Sequence, residues 1–264
     1  MKFAGKTLWI TGASSGIGRA VAIELSLKRC HLILSSRNQE DLQKVALICE
    51  KNGSSTSVMP FDLGDPKAIE STTKIVLERE KQIHGLYHFG GISQRSYAHE
   101  TSIDVDRKIF EVNFFGTIEL TKNLLPSMIL NGGGQIGVTS SIVGKFGFPY
   151  RSSYSASKQA LHGFFESLRA ENVSNNVLVS MIIPGRVKTN ISVNALDKHG
   201  KIHNKMDEGQ DKGLSVEKTA RIIVKQLEKE KKEILVGGSE LIMVHIRRFF
   251  PRLYYYLSTK VEPL

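Results

Sequence analysis

A tyrosine and a lysine stand four residues apart in Y154SASK158, in a stretch otherwise made of serine and alanine. At helical spacing the two side chains share a face. An ammonium near a phenol favours the phenolate and draws its pKa down from about 10. A tyrosine tuned in this way exchanges a proton near neutral pH. Ser141 closes the apolar run QIGVTSS upstream, where its hydroxyl can hydrogen-bond the oxygen of the same reacting group. The pair alone recurs by chance in many helices, so its meaning depends on what the chain builds around it.

A second cluster could bind phosphate. In T11GASSGIG18 the glycines at 12, 16 and 18 let the backbone turn tightly and approach a ligand. A helix beginning near Gly16 aims its free N–H groups and positive dipole end at the same point, which suits a pyrophosphate. The spacing is GxxxGxG and not GxGxxG, and such a turn can be purely structural. Its place after a strand and before a helix favours the phosphate reading. The next strand ends in Ser36-Arg37. A carboxylate there would hold the ribose hydroxyls of NAD. An arginine can instead hold a 2′-phosphate through charge-assisted bonds, which favours NADP(H). The alternative is a solvated surface arginine. Asp62-Leu63 stands where an adenine would sit, though Asp62 would look the same as a turn or cap residue.

Short apolar runs alternate with helical patterns along the chain. Strands are expected at 6–11, 31–36, 57–61, 85–89, 135–140, 177–183 and 233–236. Helices are expected at 16–28, 39–51, 66–81, 104–130 (broken early), 152–173 and 216–230. This alternation implies one doubly wound, Rossmann-type α/β domain over residues 1–264, with a mostly parallel seven-stranded sheet and helices on both faces. Ligands in such sheets bind outside the carboxyl ends of the strands, where all of these polar clusters fall. A loop-rich insert follows at 184–215, and an apolar and basic tail at 239–264.

Composition narrows the function classes. The chain is 41% hydrophobic and 23% charged, ordinary for a globular protein with a large core. The net charge is +10, but Lys and Arg are spread along the whole length with no basic arm, so nucleic acid is not an expected partner. Cys30 and Cys49 lack metal-ligand spacing and read as free buried thiols, so no metal is expected. No window is apolar enough to span a membrane, and MKFAGKTLWITG runs almost directly into a strand without a secretory apolar stretch. The expectation is a cytoplasmic protein, with membrane association through the tail left open.

These motifs together resemble the short-chain dehydrogenase/reductase family over nearly the full length. The matching residues are T11GASSGIG18, Asp62, Asn113, Ser141, Y154SASK158 and P184GRVKT189. G90GISQRS96 and P184GRVKTN190 are most similar to the member 7 group. The resemblance implies a catalytic tetrad of Asn113, Ser141, Tyr154 and Lys158. Tyr154 would be the acid/base, and Lys158 would tune it and hold the nicotinamide ribose. Ser141 would polarise the carbonyl, and Asn113 would help fix a relay water. The cofactor would rest on Gly12, Ser14, Ser15, Gly16, Ile17, Gly18, Ser36, Arg37, Asp62, Leu63, Gly90, Gly91, Asn113, Tyr154 and Lys158. Pro184, Gly185, Val187 and Thr189 would line the nicotinamide. One departure stands out: the family's Asn-Asn-Ala-Gly after the fourth strand is H88FGG91 here. His88 can replace an asparagine as donor and acceptor, whereas Phe89 cannot.

On the substrate side, Ser141, Val143, Phe148 and Tyr154 are the expected contacts, with Ile142, Phe146, Pro149 and Tyr150 beside them. Gln94 and Arg95 can add polar contacts near the mouth. Such a wall suits an apolar carbonyl or alcohol: a steroid, retinoid, fatty or aromatic ketone. In the tail, Ile242, Ile246, Phe249, Leu253 and Tyr256 recur at helical spacing among Arg247, Arg248 and Arg252, and Pro251 would break the helix. The tail reads as a peripheral membrane contact, a lid over the substrate mouth or a subunit contact. The expected function is an NADP(H)-dependent oxidoreductase working as a homodimer or homotetramer. The rival is a non-catalytic NADP(H)-binding or membrane-peripheral regulatory protein.

Overall fold

The run TLWIT forms β1 (Thr7–Thr11), and its Leu8, Trp9 and Ile10 are all fully buried. A strand that is apolar at consecutive positions must be covered on both faces. β2 (His31–Ser35) repeats the pattern. Side-chain alternation divides these strands between two cores. Leu8, Ile10, Leu32 and Leu34 pack on one face against Val21, Leu25, Leu42 and Ile223. Trp9 and Ile33 point the other way, into a core with Ile69, Leu120, Leu124 and Phe165.

The computed structural model describes residues 1–260. The remaining strands are β3 (Ser55–Val58), β4 (Gly85–His88), β5 (Gly134–Thr139), β6 (Val177–Pro184) and β7 (Glu233–Val236). The seven form one sheet in the order β3-β2-β1-β4-β5-β6-β7, with every neighbouring pair parallel. One face carries α1 (Gly16–Ser26), α2 (Gln39–Lys51) and α8 (Val216–Glu228). The other carries α3 (Pro66–Arg79), α5 (Gly116–Leu130) and α6 (Ser152–Glu171). This is a Rossmann-like doubly wound fold. Strand order reverses between β1 and β4, and a crevice opens at that switch point.

One local expectation needs correction, and another gains detail. The third strand lies at Ser55–Val58, earlier than the apolar run SVMPF suggests. It is one of the two sheet edges, where solvent reaches the strand and polar residues are tolerated. The helix expected over 104–130 with an early break has it at a π-helical turn, Glu111–Phe115, between α4 (Ile103–Phe110) and α5.

The tail makes two helices, α9 (Ile242–Phe249) and α10 (Pro251–Ser258), broken where Pro251 removes an N–H. Tyr254 is buried against Phe146, ring centroids 5.4 Å apart, and its hydroxyl donates to the Gly147 carbonyl. The tail thus folds onto the loop before α6. Its end, Val261–Leu264, lies outside the described residues. No described helix is long and apolar enough to cross a membrane. Cys30 and Cys49 are buried and free, and burial pushes the Cys49 thiol up to about 11.

Candidate active site

A cavity of about 1850 Å³ opens along the carboxyl ends of β1, β2, β4, β5 and β6. That exceeds the ~300–1,000 Å³ of an ordinary ligand pocket and leaves room for a dinucleotide with a second molecule. Every expected cofactor and substrate contact lines it except Asn113, whereas Gln94, Pro149 and Tyr150, expected beside the substrate, do not.

At the phosphate end, Gly12 turns with φ +67°, and a Cβ there would stand 2.6 Å from the Gly90 nitrogen. Only glycine permits that approach of the β1 and β4 turns. The N-cap of α1 is Ser15, which makes no side-chain bond to the helix. By contrast α2, α3 and α8 are capped by Asn38, Asp65 and Ser215. The first-turn N–H groups of α1 are therefore left without a cap beside the cavity, an arrangement that fits a pyrophosphate. Ser36 and Arg37 line the cavity past β2, where the chain reads Ser35-Ser36-Arg37-Asn38 with no acidic residue at the strand end. Asp62 lines it too, while its Oδ1 accepts from Gly64 N at 2.9 Å. Asp62 thus serves as a turn residue while it also faces the cavity.

At the other end, α6 carries Tyr154 and Lys158 on one face, and Ser141 stands just past β5. All three line the cavity. Lys158 Nζ lies 5.9 Å from the Tyr154 ring centroid and donates to the Thr139 carbonyl at 2.8 Å. Burial lowers its pKa to about 8. Burial pushes the Tyr154 phenol up, and Ser141, Arg95 and Arg151 act in the opposite direction. Two arginines from outside the motif therefore join Ser141 in opposing burial at this phenol. Ser157 donates to the Tyr154 carbonyl at 2.9 Å, and Tyr154 N donates to Gln94 Oε1 at 3.2 Å.

Asn113 sits in the π-helical turn, fully buried behind the cavity. Its Oδ1 accepts from Ile92 N, and its Nδ2 donates to Ile92 O and to Ser157 Oγ. Its side chain therefore braces the β4 turn against α6. A water held by Asn113 would have to meet its main-chain carbonyl, which accepts from Thr117 Oγ1 at 3.0 Å.

His88 is buried, with Nε2 2.9 Å from Thr121 Oγ1. The Thr121 hydroxyl already donates to Thr117 O, so His88 must be the donor. Burial first, and then Lys158, lower the His88 pKa to about 3. It is a neutral structural group. Phe89 packs with the core beneath the glycine turn, with its Cβ 2.9 Å from where a Gly18 Cβ would fall.

Several cavity residues lie beyond the reach of the sequence reading. Gln210 donates to the Val187 carbonyl at 2.5 Å, and Glu240 accepts from Arg186 N at 2.8 Å, so both fix the 184–189 loop. Arg151 and Asp207 meet Arg95 in a buried ion cluster. No local motif marks these residues, since the partners are distant in the chain.

A family model described as short chain dehydrogenase matches residues 6–200. A Drosophila melanogaster "Dehydrogenase/reductase SDR family protein 7-like" is 38% identical over 97% of this chain and 80% of its own length. The human "Dehydrogenase/reductase SDR family member 7" is 35% identical over 96% and 77%. Among solved structures, an alcohol dehydrogenase from the archaeon Thermococcus sibiricus, complexed with 5-hydroxy-NADP, is 26% identical with a TM-score of 0.78. That comparison covers 89% of this chain and 97% of the archaeal one. With the glycine turn, Ser141, Tyr154 and Lys158 in place, the chain belongs to the short-chain dehydrogenase/reductase family of oxidoreductases, in its member 7 group.

Proposed function

We propose that the protein is an NADP(H)-dependent oxidoreductase that interconverts a carbonyl and an alcohol on a largely apolar substrate. The observation that carries this reading is the convergence of Ser141, Tyr154 and Lys158 on one cavity whose other end is the uncapped start of α1. The nicotinamide, when bound, supplies or accepts the hydride at the substrate carbon. In reduction, the Tyr154 phenol gives its proton to the carbonyl oxygen. The Ser141 hydroxyl donates a hydrogen bond to that same oxygen and supports its developing charge. The Lys158 ammonium, held on the Thr139 carbonyl, stabilises the phenolate until a solvent proton restores it. In oxidation the same groups work in reverse. Arg37, without an acid beside it, supports NADP(H) over NAD(H). Val143, Phe146 and Phe148 support an apolar substrate body.

Tyr154→Phe tests the reading directly. Turnover of carbonyl compounds should fall by about 10³-fold or more while NADPH still binds. Unchanged turnover sinks the mechanism. A side-by-side fluorescence titration should show tighter NADPH than NADH, and Arg37→Ala should erase that difference. NADH preference would remove the Arg37 assignment.

A further inference from the structure

Three buried charges meet where α6 begins. Arg95 follows β4, Asp207 comes from the 184–215 segment, and Arg151 precedes the helix. Arg95 Nε lies 3.2 and 3.1 Å from the two Asp207 oxygens, and its Nη2 lies 2.7 Å from Oδ2. Its Nη1 donates to Ser93 Oγ and to the Gln94 carbonyl, both at 2.7 Å. All three nitrogens of Arg95 are thus engaged. Arg151 reaches Asp207 through Nη2 alone, at 2.6 Å. Among the described residues its Nε and Nη1 have no hydrogen-bond partner, and its guanidinium lies 5.1 Å from the Phe148 ring centroid.

Two guanidiniums therefore share one carboxylate. The side chains of Arg95, Arg151 and Asp207 are 3%, 14% and 7% exposed, so water screens the surplus charge poorly. Burial and then the Arg95 charge push the Arg151 pKa down, against the pull of Asp207. The surplus is not remote from the chemistry. Arg151 lines the same cavity as Tyr154, three residues before it in the chain, and its charge acts on the phenol. Close by stands the apolar wall of Ile142, Val143, Phe146 and Phe148.

A neutral apolar substrate would use that wall and leave the cation unmatched. We propose that the substrate is an amphiphile, with its apolar body on this wall and an anionic group, carboxylate or phosphate, seated on the free nitrogens of Arg151. The inference rests on the carbonyl–alcohol reading for its chemistry, but not for the anion seat itself. Arg95 acts as a positioning residue, since it holds Asp207 and through it the orientation of Arg151.

Calorimetry on the full chain with saturating NADP⁺ tests the seat without turnover. The probes are a medium-chain fatty acid, the alkyl phosphate of the same length and the fatty acid's methyl ester. At least one anion should bind about tenfold or more tighter than the ester, and the tighter of the two names the head group. Arg151→Gln should bring anion and ester together, and Arg151→Lys should keep part of the preference. Equal binding of all three probes, or a preference that survives Arg151→Gln in a folded variant, overturns the proposal. The keto forms of the probes are then assayed with NADPH. Anion preference without turnover of any keto form would sink the oxidoreductase reading and leave the seat standing.

Discussion

The Asn113 carboxamide grips both backbone groups of Ile92, accepting from its N–H at 2.8 Å and donating to its carbonyl at 2.9 Å. One side chain thereby satisfies the turn after β4, whose backbone has left the sheet ladder. The π-helical turn carries Asn113 into this position between α4 and α5. Asn113→Leu would leave both Ile92 groups and Ser157 without this partner. Each unmatched buried group costs roughly 1–3 kcal/mol, so we expect a loss of about 3 kcal/mol in urea denaturation. A loss under about 0.5 kcal/mol would show that the clamp carries no stability.

Lys158 gives a pH signature in the ligand-free protein. Burial lowers its pKa from 10.5 to about 8. Between those values the unfolded chain holds a proton that the folded chain has released. Stability attributable to Lys158 therefore rises with pH from about 8 to 10.5. The full window amounts to about 3 kcal/mol. Urea midpoints across it should climb more steeply in wild type than in Lys158→Met. Parallel curves would place the lysine in a more polar setting than this one.

His88 should be spectroscopically silent to pH. Its pKa near 3 and its bond to Thr121 predict a neutral ring protonated at Nε2 from pH 5 to 8. Nitrogen chemical shifts of the imidazole would read this tautomer directly. An imidazolium at pH 6 would overturn the reading of His88 as a neutral structural group.

Tyr254 ties the tail to the loop that carries Val143 and Phe146. Tyr254→Ala should raise the KM for a bulky apolar carbonyl several-fold and leave NADPH affinity within twofold, because α10 touches that loop and not the glycine turn. An equal loss for cofactor and substrate would mean that the tail supports the whole domain.

Much of this architecture is legible in the residues. The central strands announce themselves because burial on both faces leaves little room for polar side chains, as in VLVSMII. β3 hides its start because an edge strand such as STSV can be polar. Asn113 is recognisable by resemblance, yet its clamp on Ile92 is not, since one extra residue in a helical turn leaves no periodic trace. The Arg95–Asp207 pair is 112 positions apart, and no local pattern announces such a meeting. The resemblance locates Tyr154 and Lys158. It is silent on the arginines, which act on the phenol from outside the motif.

The bare first turn of α1 bears on how long the protein survives. A helix end that waits for an anion is held less firmly until one arrives, and α1 packs against α2 and α8. A dinucleotide seated there would lengthen the protein's survival as well as serve its chemistry, because each bound molecule would withdraw the open form from proteases in proportion to occupancy.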